Sequence, residues 1–140
     1  MEIETAFNGL MDEAEKTCCE HPDAEQVIAV KTAKGNTYIL VNRNVMSGDY
    51  SDENSFIQML REKDDTETQY LVCKWNGKTV DVPSFHFREQ LLNINPKNEN
   101  TALLLQGFGA YIVKPLKNTL PPPKGADMEK IRKKLEKANS

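Results

Sequence analysis

Long hydrophobic runs are what this chain of 140 residues has least of. No apolar stretch approaches the roughly 20 residues that cross a bilayer. The start, MEIETAFNGLMDEAEK, is acidic where a secretory leader is basic and has no continuous apolar region. A membrane span and a secreted product are therefore not expected, and the sequence reads as cytoplasmic. Cysteine is scarce as well. Three cysteines, two of them adjacent at Cys18 and Cys19, make no disulfide framework. No C-x-x-C pair marks a zinc or thioredoxin-like centre, and no N-x-S/T acceptor occurs. Basic charge is short too. The net charge is −3, so the extended basic surface that phosphate contacts require is missing and nucleic-acid binding is not expected.

Residues 2–20 place Ile3, Phe7, Leu10, Met11, Ala14 and Cys18 at helical spacing with acids on the other side, and Pro22 marks the stop. QVIAVKTAKGNTYILVN (26–42) alternates on both sides of Gly35-Asn36, a short-hairpin signal. The pattern assigns Ile28, Val30, Ile39 and Val41 to one face, and Lys31, Tyr38 and Asn42 to the other. A helix is predicted over about 53–64, with Asp52 as N-cap and Phe56, Met59 and Leu60 inward. YLVCKWNGKTVDVP (70–83) is a second hairpin about Asn76-Gly77. A two-residue turn there pairs Trp75 with Lys78, Cys73 with Val80 and Leu71 with Val82, which points Cys73 into the core. Ser84 caps a short helix over 85–94, with Phe87, Leu91 and Ile94 on one side. TALLLQGFGAYIVKPL then supplies a third strand pair, whose unalternating Leu103, Leu104 and Leu105 indicate a strand covered on both faces.

The expected architecture is an α+β domain over residues 1–116: a mostly antiparallel sheet of about six strands in three hairpins, with helices mainly on one face. A proline-rich spacer at 117–126 and a basic amphipathic helix at 127–140 complete it. Residues 1–25 carry a net charge of −7 and residues 124–140 one of +3.

Chemistry-bearing patterns are few. Cys18, Cys19 and His21 lack zinc-ligand spacing. Asp49, Asp52 and Glu53 fail the EF-hand pattern and read as a turn with a helix cap. Gly107-Phe108-Gly109 precedes a strand, whereas a phosphate-cradling glycine loop precedes a helix. His86 sits between two phenylalanines with no orienting partner in sequence. FREQLL (87–92) before ALLLQG resembles the arrangement in the SseB-like α+β proteins over about a third of the chain, and that resemblance implies no activity.

No catalytic residue, cofactor or metal is expected from these patterns. The first expectation is a non-enzymatic interaction module of adaptor, chaperone-like or immunity type, binding a protein partner or a second copy through Met128, Ile131, Lys134 and Leu135. The alternative is a small enzyme or ligand-binding protein with a pocket between sheet and helices, using Cys73, His86, Tyr111 or Asp49.

Overall fold

The computed structural model describes residues 2–121. The helix expected at 127–140, with Met128, Ile131, Lys134 and Leu135, and residues 122–126 of the spacer lie outside the described residues. The first helix, α1 (Glu2–Glu20), is followed by β1 (Gln26–Thr32), β2 (Thr37–Asn42), α2 (Ser51–Glu62), β3 (Thr68–Trp75), β4 (Thr79–Val80), α3 (Phe85–Ile94), β5 (Ala102–Gln106) and β6 (Tyr111–Pro115). The strands lie in the order β2-β1-β3-β5-β6, with the two-residue β4 paired to β3.

The sheet is mixed, which corrects the expectation of a mostly antiparallel one. Strands β3 and β5 run parallel, Tyr70 opposite Ala102 and Leu71 opposite Leu103. Reading hairpin by hairpin assumes that each strand pairs with its sequence neighbour. Here β4 is only two residues long, and α3 carries the chain back across the sheet so that β5 enters alongside β3, as a parallel pair requires. Strands β2 and β3 are both antiparallel to β1 and hence parallel to each other.

Helices cover both faces rather than mainly one. Phe7, Leu10 and Ala14 of α1 pack on Val27, Ala29, Val72, Val80 and Leu104. On the other face, Phe56, Ile57 and Leu60 of α2 and Phe87 and Leu91 of α3 meet Ile28, Val30, Leu40, Leu71, Cys73 and Leu103. The three leucines of β5 divide between these two layers, as the unalternating run implied.

Both early hairpins depart from the expected register. Ile28 lies opposite Leu40 and Val30 opposite Tyr38, because the connection spans residues 32–36 and is closed by Thr32 N–H on the Asn36 carbonyl. This places Tyr38, Leu40 and Asn42, not Ile39 and Val41, beside Ile28 and Val30. In the β3–β4 pair, Asn76 (φ 52°) and Gly77 (φ 68°) are both left-handed, as the Asn-Gly signal requires. One extra residue in the turn nevertheless sets Lys74, not Cys73, opposite Val80, and moves Val80 to the α1 face. Cys73 itself is wholly buried among core residues, as expected.

Beyond α2, Asp65 braces the β1–β2 connection. Its Oδ2 accepts from the Thr32 hydroxyl (3.0 Å), the Asn36 amide (2.8 Å) and the Tyr38 hydroxyl (2.9 Å). Burial pushes its pKa up, but these donors outweigh that and hold it below the usual carboxylate value.

Candidate functional site

Helix α2 follows β2, α3 follows the β3–β4 pair, and both helices lie on one face of the sheet. Their first turns meet. Glu53, in the first turn of α2, accepts a hydrogen bond from the hydroxyl of Ser84, the N-cap of α3, with Oγ 2.7 Å from Oε2. Two helix starts thus lie beyond the carboxyl ends of the parallel strands β2 and β3, the end of an open α/β sheet at which ligands bind.

Glu53 has no solvent exposure. Burial raises its pKa, opposed by the Ser84 hydrogen bond and by His86. Ser84 serves two groups at once, since its oxygen also accepts from the Phe87 amide (3.2 Å) to cap α3. At the rim, His86 Nε2 lies 2.8 Å from Asn54 Oδ1, and its ring stacks on Tyr50 with centroids 4.3 Å apart. Asp49 accepts from both the amide (3.0 Å) and the hydroxyl (2.7 Å) of Ser51, which holds its carboxyl below the ordinary value. Tyr50, at the N-cap position of α2, makes no side-chain cap, so the expected Asp52 cap is not used.

The sheet contributes polar groups of its own on this face. Gln26 begins β1 opposite Asn42, the last residue of β2, and opposite Trp75, the last of β3. Gln26 and Asn42 are both wholly buried. Asn42 Nδ2 donates to Gln26 Oε1 at 3.3 Å, which leaves Asn42 Oδ1 buried without a partner and Gln26 Nε2 with only the Cys73 sulfur, a weak acceptor, beside it. Such groups are rare in native interiors and each costs about 1–3 kcal/mol. Burial pushes the Cys73 thiol well up, opposed by the hydrogen bond from Gln26 and reinforced by the charge of Asp81.

The residues expected to carry a pocket are dispersed. Cys73 is sealed in core, and Tyr111 stands on the α1 face, where it lines a cleft with Phe7, Met11 and Val113. Only His86 and Asp49 come to the α2–α3 junction, each engaged with a different neighbour. Cys18, Cys19 and His21 do share a cleft with Lys74, but among the described residues no group of three or more His, Cys, Asp or Glu is placed to hold a metal ion. The largest of the described clefts, about 580 Å³, lies between α1 and the sheet at Thr5, Gly9, Lys31 and Tyr70, and contains no buried unpartnered group.

Gln26 was not singled out by the sequence, Asn42 was read only as a residue of the outer face, and Glu53 only as part of an acidic turn and cap. Glu53 adjoins an equally plausible cap residue, and the two amides sit at strand ends where polar side chains are ordinary. The inverted register of β2 also assigned Asn42 to the outer face.

No protein-family model and no curated protein matches the chain. Solved structures do. A cytidine deaminase from Bacillus anthracis superposes with a TM-score of 0.62 at 16% identity, covering 90% of this chain and 95% of that one. A Glu-to-Gln mutant of cytidine deaminase from Mycobacterium tuberculosis gives 0.58 at 20% identity, over 83% and 95%. The shared property is the fold. A likeness in fold to cytidine deaminases over nearly the whole chain overturns the expectation of a non-enzymatic interaction module as the first reading.

Proposed function

We propose that this protein binds a small hydrogen-bonding molecule in the crevice between the sheet and the starts of α2 and α3. The observation that carries this reading is the wholly buried Gln26–Asn42 pair on the face that α2 and α3 cover, in which Asn42 Oδ1 has no partner and Gln26 Nε2 has only the Cys73 sulfur. A ligand or ordered water that answers both groups would remove their cost. Glu53 adds a buried hydrogen-bonding carboxyl whose pKa burial raises. Because the two solved structures named above are cytidine deaminases, pyrimidine nucleosides are the first ligand class to test.

Zinc deaminases hold their ion with the pattern H-x-E … P-C-x-x-C or its all-cysteine form, the glutamate serving as proton carrier and not as ligand. This chain has Ser51-Asp52-Glu53 and Pro83-Ser84-Phe85-His86-Phe87. The glutamate and the proline are present, while Ser51, Ser84 and Phe87 stand at the three ligand places. The residues present do not fit a zinc ion. Binding, rather than zinc-dependent hydrolysis, is therefore the proposed activity.

Calorimetric titration of the full chain with cytidine, deoxycytidine and uridine tests it. Saturable binding of at least one nucleoside, weakened about tenfold or more by Asn42→Ala, is expected, a loss of roughly 1.4 kcal/mol. No heat above dilution at millimolar concentration for any of the three would contradict the reading.

A further inference from the structure

We infer that the Ser84 hydroxyl holds the starts of α2 and α3 together where zinc deaminases use the metal, so that this chain keeps the junction closed without an ion. The inference deepens the reading of this junction as the site and rests on it. In the zinc pattern one ligand stands two residues before the glutamate and two more follow the proline. A single ion would thus bridge positions 51, 84 and 87, one on α2 and two at the start of α3.

Each of these positions is committed otherwise here. The Ser51 hydroxyl donates to Asp49 at 2.7 Å. Phe87 is wholly buried, with its ring centroid 5.8 Å from that of Phe56, so carbon occupies the place of a thiolate. Ser84 donates to Glu53 and accepts from the Phe87 amide. A carboxyl removed from water requires a donor, and the first turn of a helix requires an acceptor. One hydroxyl bridging α2 and α3 meets both needs.

The test begins with elemental analysis of the full chain purified without chelator. Less than about 0.1 zinc per chain is expected, and the melting temperature of wild type should not move on adding EDTA. Near one zinc per chain, or a chelator-induced fall in melting temperature, would overturn the inference. Ser84→Ala should lower the melting temperature by about 3–6 °C, the effect expected for losing a cap and a buried hydrogen bond in a chain of this size. No change on Ser84→Ala would overturn it as well.

A gain-of-site variant supplies an independent readout. Ser51→Cys, Ser84→Cys and Phe87→Cys combined should bind one cobalt(II), seen as thiolate charge-transfer and visible d–d absorption that wild type lacks. A folded triple variant without these bands would contradict the positional argument. Should the triple variant fail to fold, the metal content, chelator response and Ser84→Ala melt still decide. Absence of nucleoside binding with these results intact would remove the proposed ligand class and leave the metal-free junction standing.

Discussion

Glu53 is a carboxyl with no solvent exposure, held by a single hydroxyl side chain. Its pKa is raised in the fold, so the folded state binds its proton more tightly than the unfolded chain does. Its contribution is fully present below the unfolded pKa and is lost as pH rises through the folded one. Glu53→Gln should therefore gain stability relative to wild type as pH rises from 4 to 8, read as a growing difference in denaturation midpoint. Asp65 has the opposite sign. Its folded pKa is depressed, so its contribution is present above the ordinary aspartate value and is lost as pH falls through the folded one. Tyr38→Phe, which removes one of its three donors, should cost on the order of 1 kcal/mol near neutral pH and less in acid, as urea titrations at the two pH values would register. Cys73 was legible from alternation alone, because Leu71 and Trp75 stand two residues to either side of it in the same strand and face the same core. Its burial predicts that a thiol reagent modifies exposed Cys19 at once and Cys73 only on unfolding. Gln26 and Asn42 were not legible. What distinguishes them is a missing or weak partner, and that is a property of the assembled sheet.

Elements were read well where a local signal decides them. Ser84 caps α3 and the helix ends at Ile94, both as the sequence indicates, because a capping hydroxyl and a helical stripe act within a few residues. Strand register was not readable in the same way. The connection between β1 and β2 and the turn between β3 and β4 are longer than the two residues their Gly-Asn and Asn-Gly pairs suggest, and each shift of odd length turns a strand over. Gly77 still bears its expected duty. At φ 68° it occupies the left-handed region, and a Cβ there would meet Cys18 Cβ only at 3.9 Å. Gly77→Ala should thus cost about 1–2 kcal/mol through backbone strain and not through a clash, with the far-ultraviolet spectrum unchanged.

At the scale of the molecule, two helical crossovers on one face and α1 on the other form a three-layer domain with buried polar groups where α2 and α3 begin. That arrangement was beyond the sequence. The parallel pairing of β3 with β5 depends on which strand edges remain free after the hairpins close, and no local pattern records it. The same arrangement couples stability to function. Replacing Gln26 and Asn42 together with leucine removes two poorly paired buried groups, so the double variant should melt at or above the wild-type temperature while losing ligand affinity. Among the described helices none is long and apolar enough to cross a membrane.

The most direct measurement is a nucleoside titration of the isotopically labelled full chain, followed through the side-chain amide NMR signals of Gln26 and Asn42. The account predicts saturable shifts of both amide pairs at one common dissociation constant, with the shifts of exposed Asn and Gln amides small. Amide signals of Gln26 and Asn42 that stay fixed while cytidine, deoxycytidine and uridine rise to millimolar concentration would contradict it.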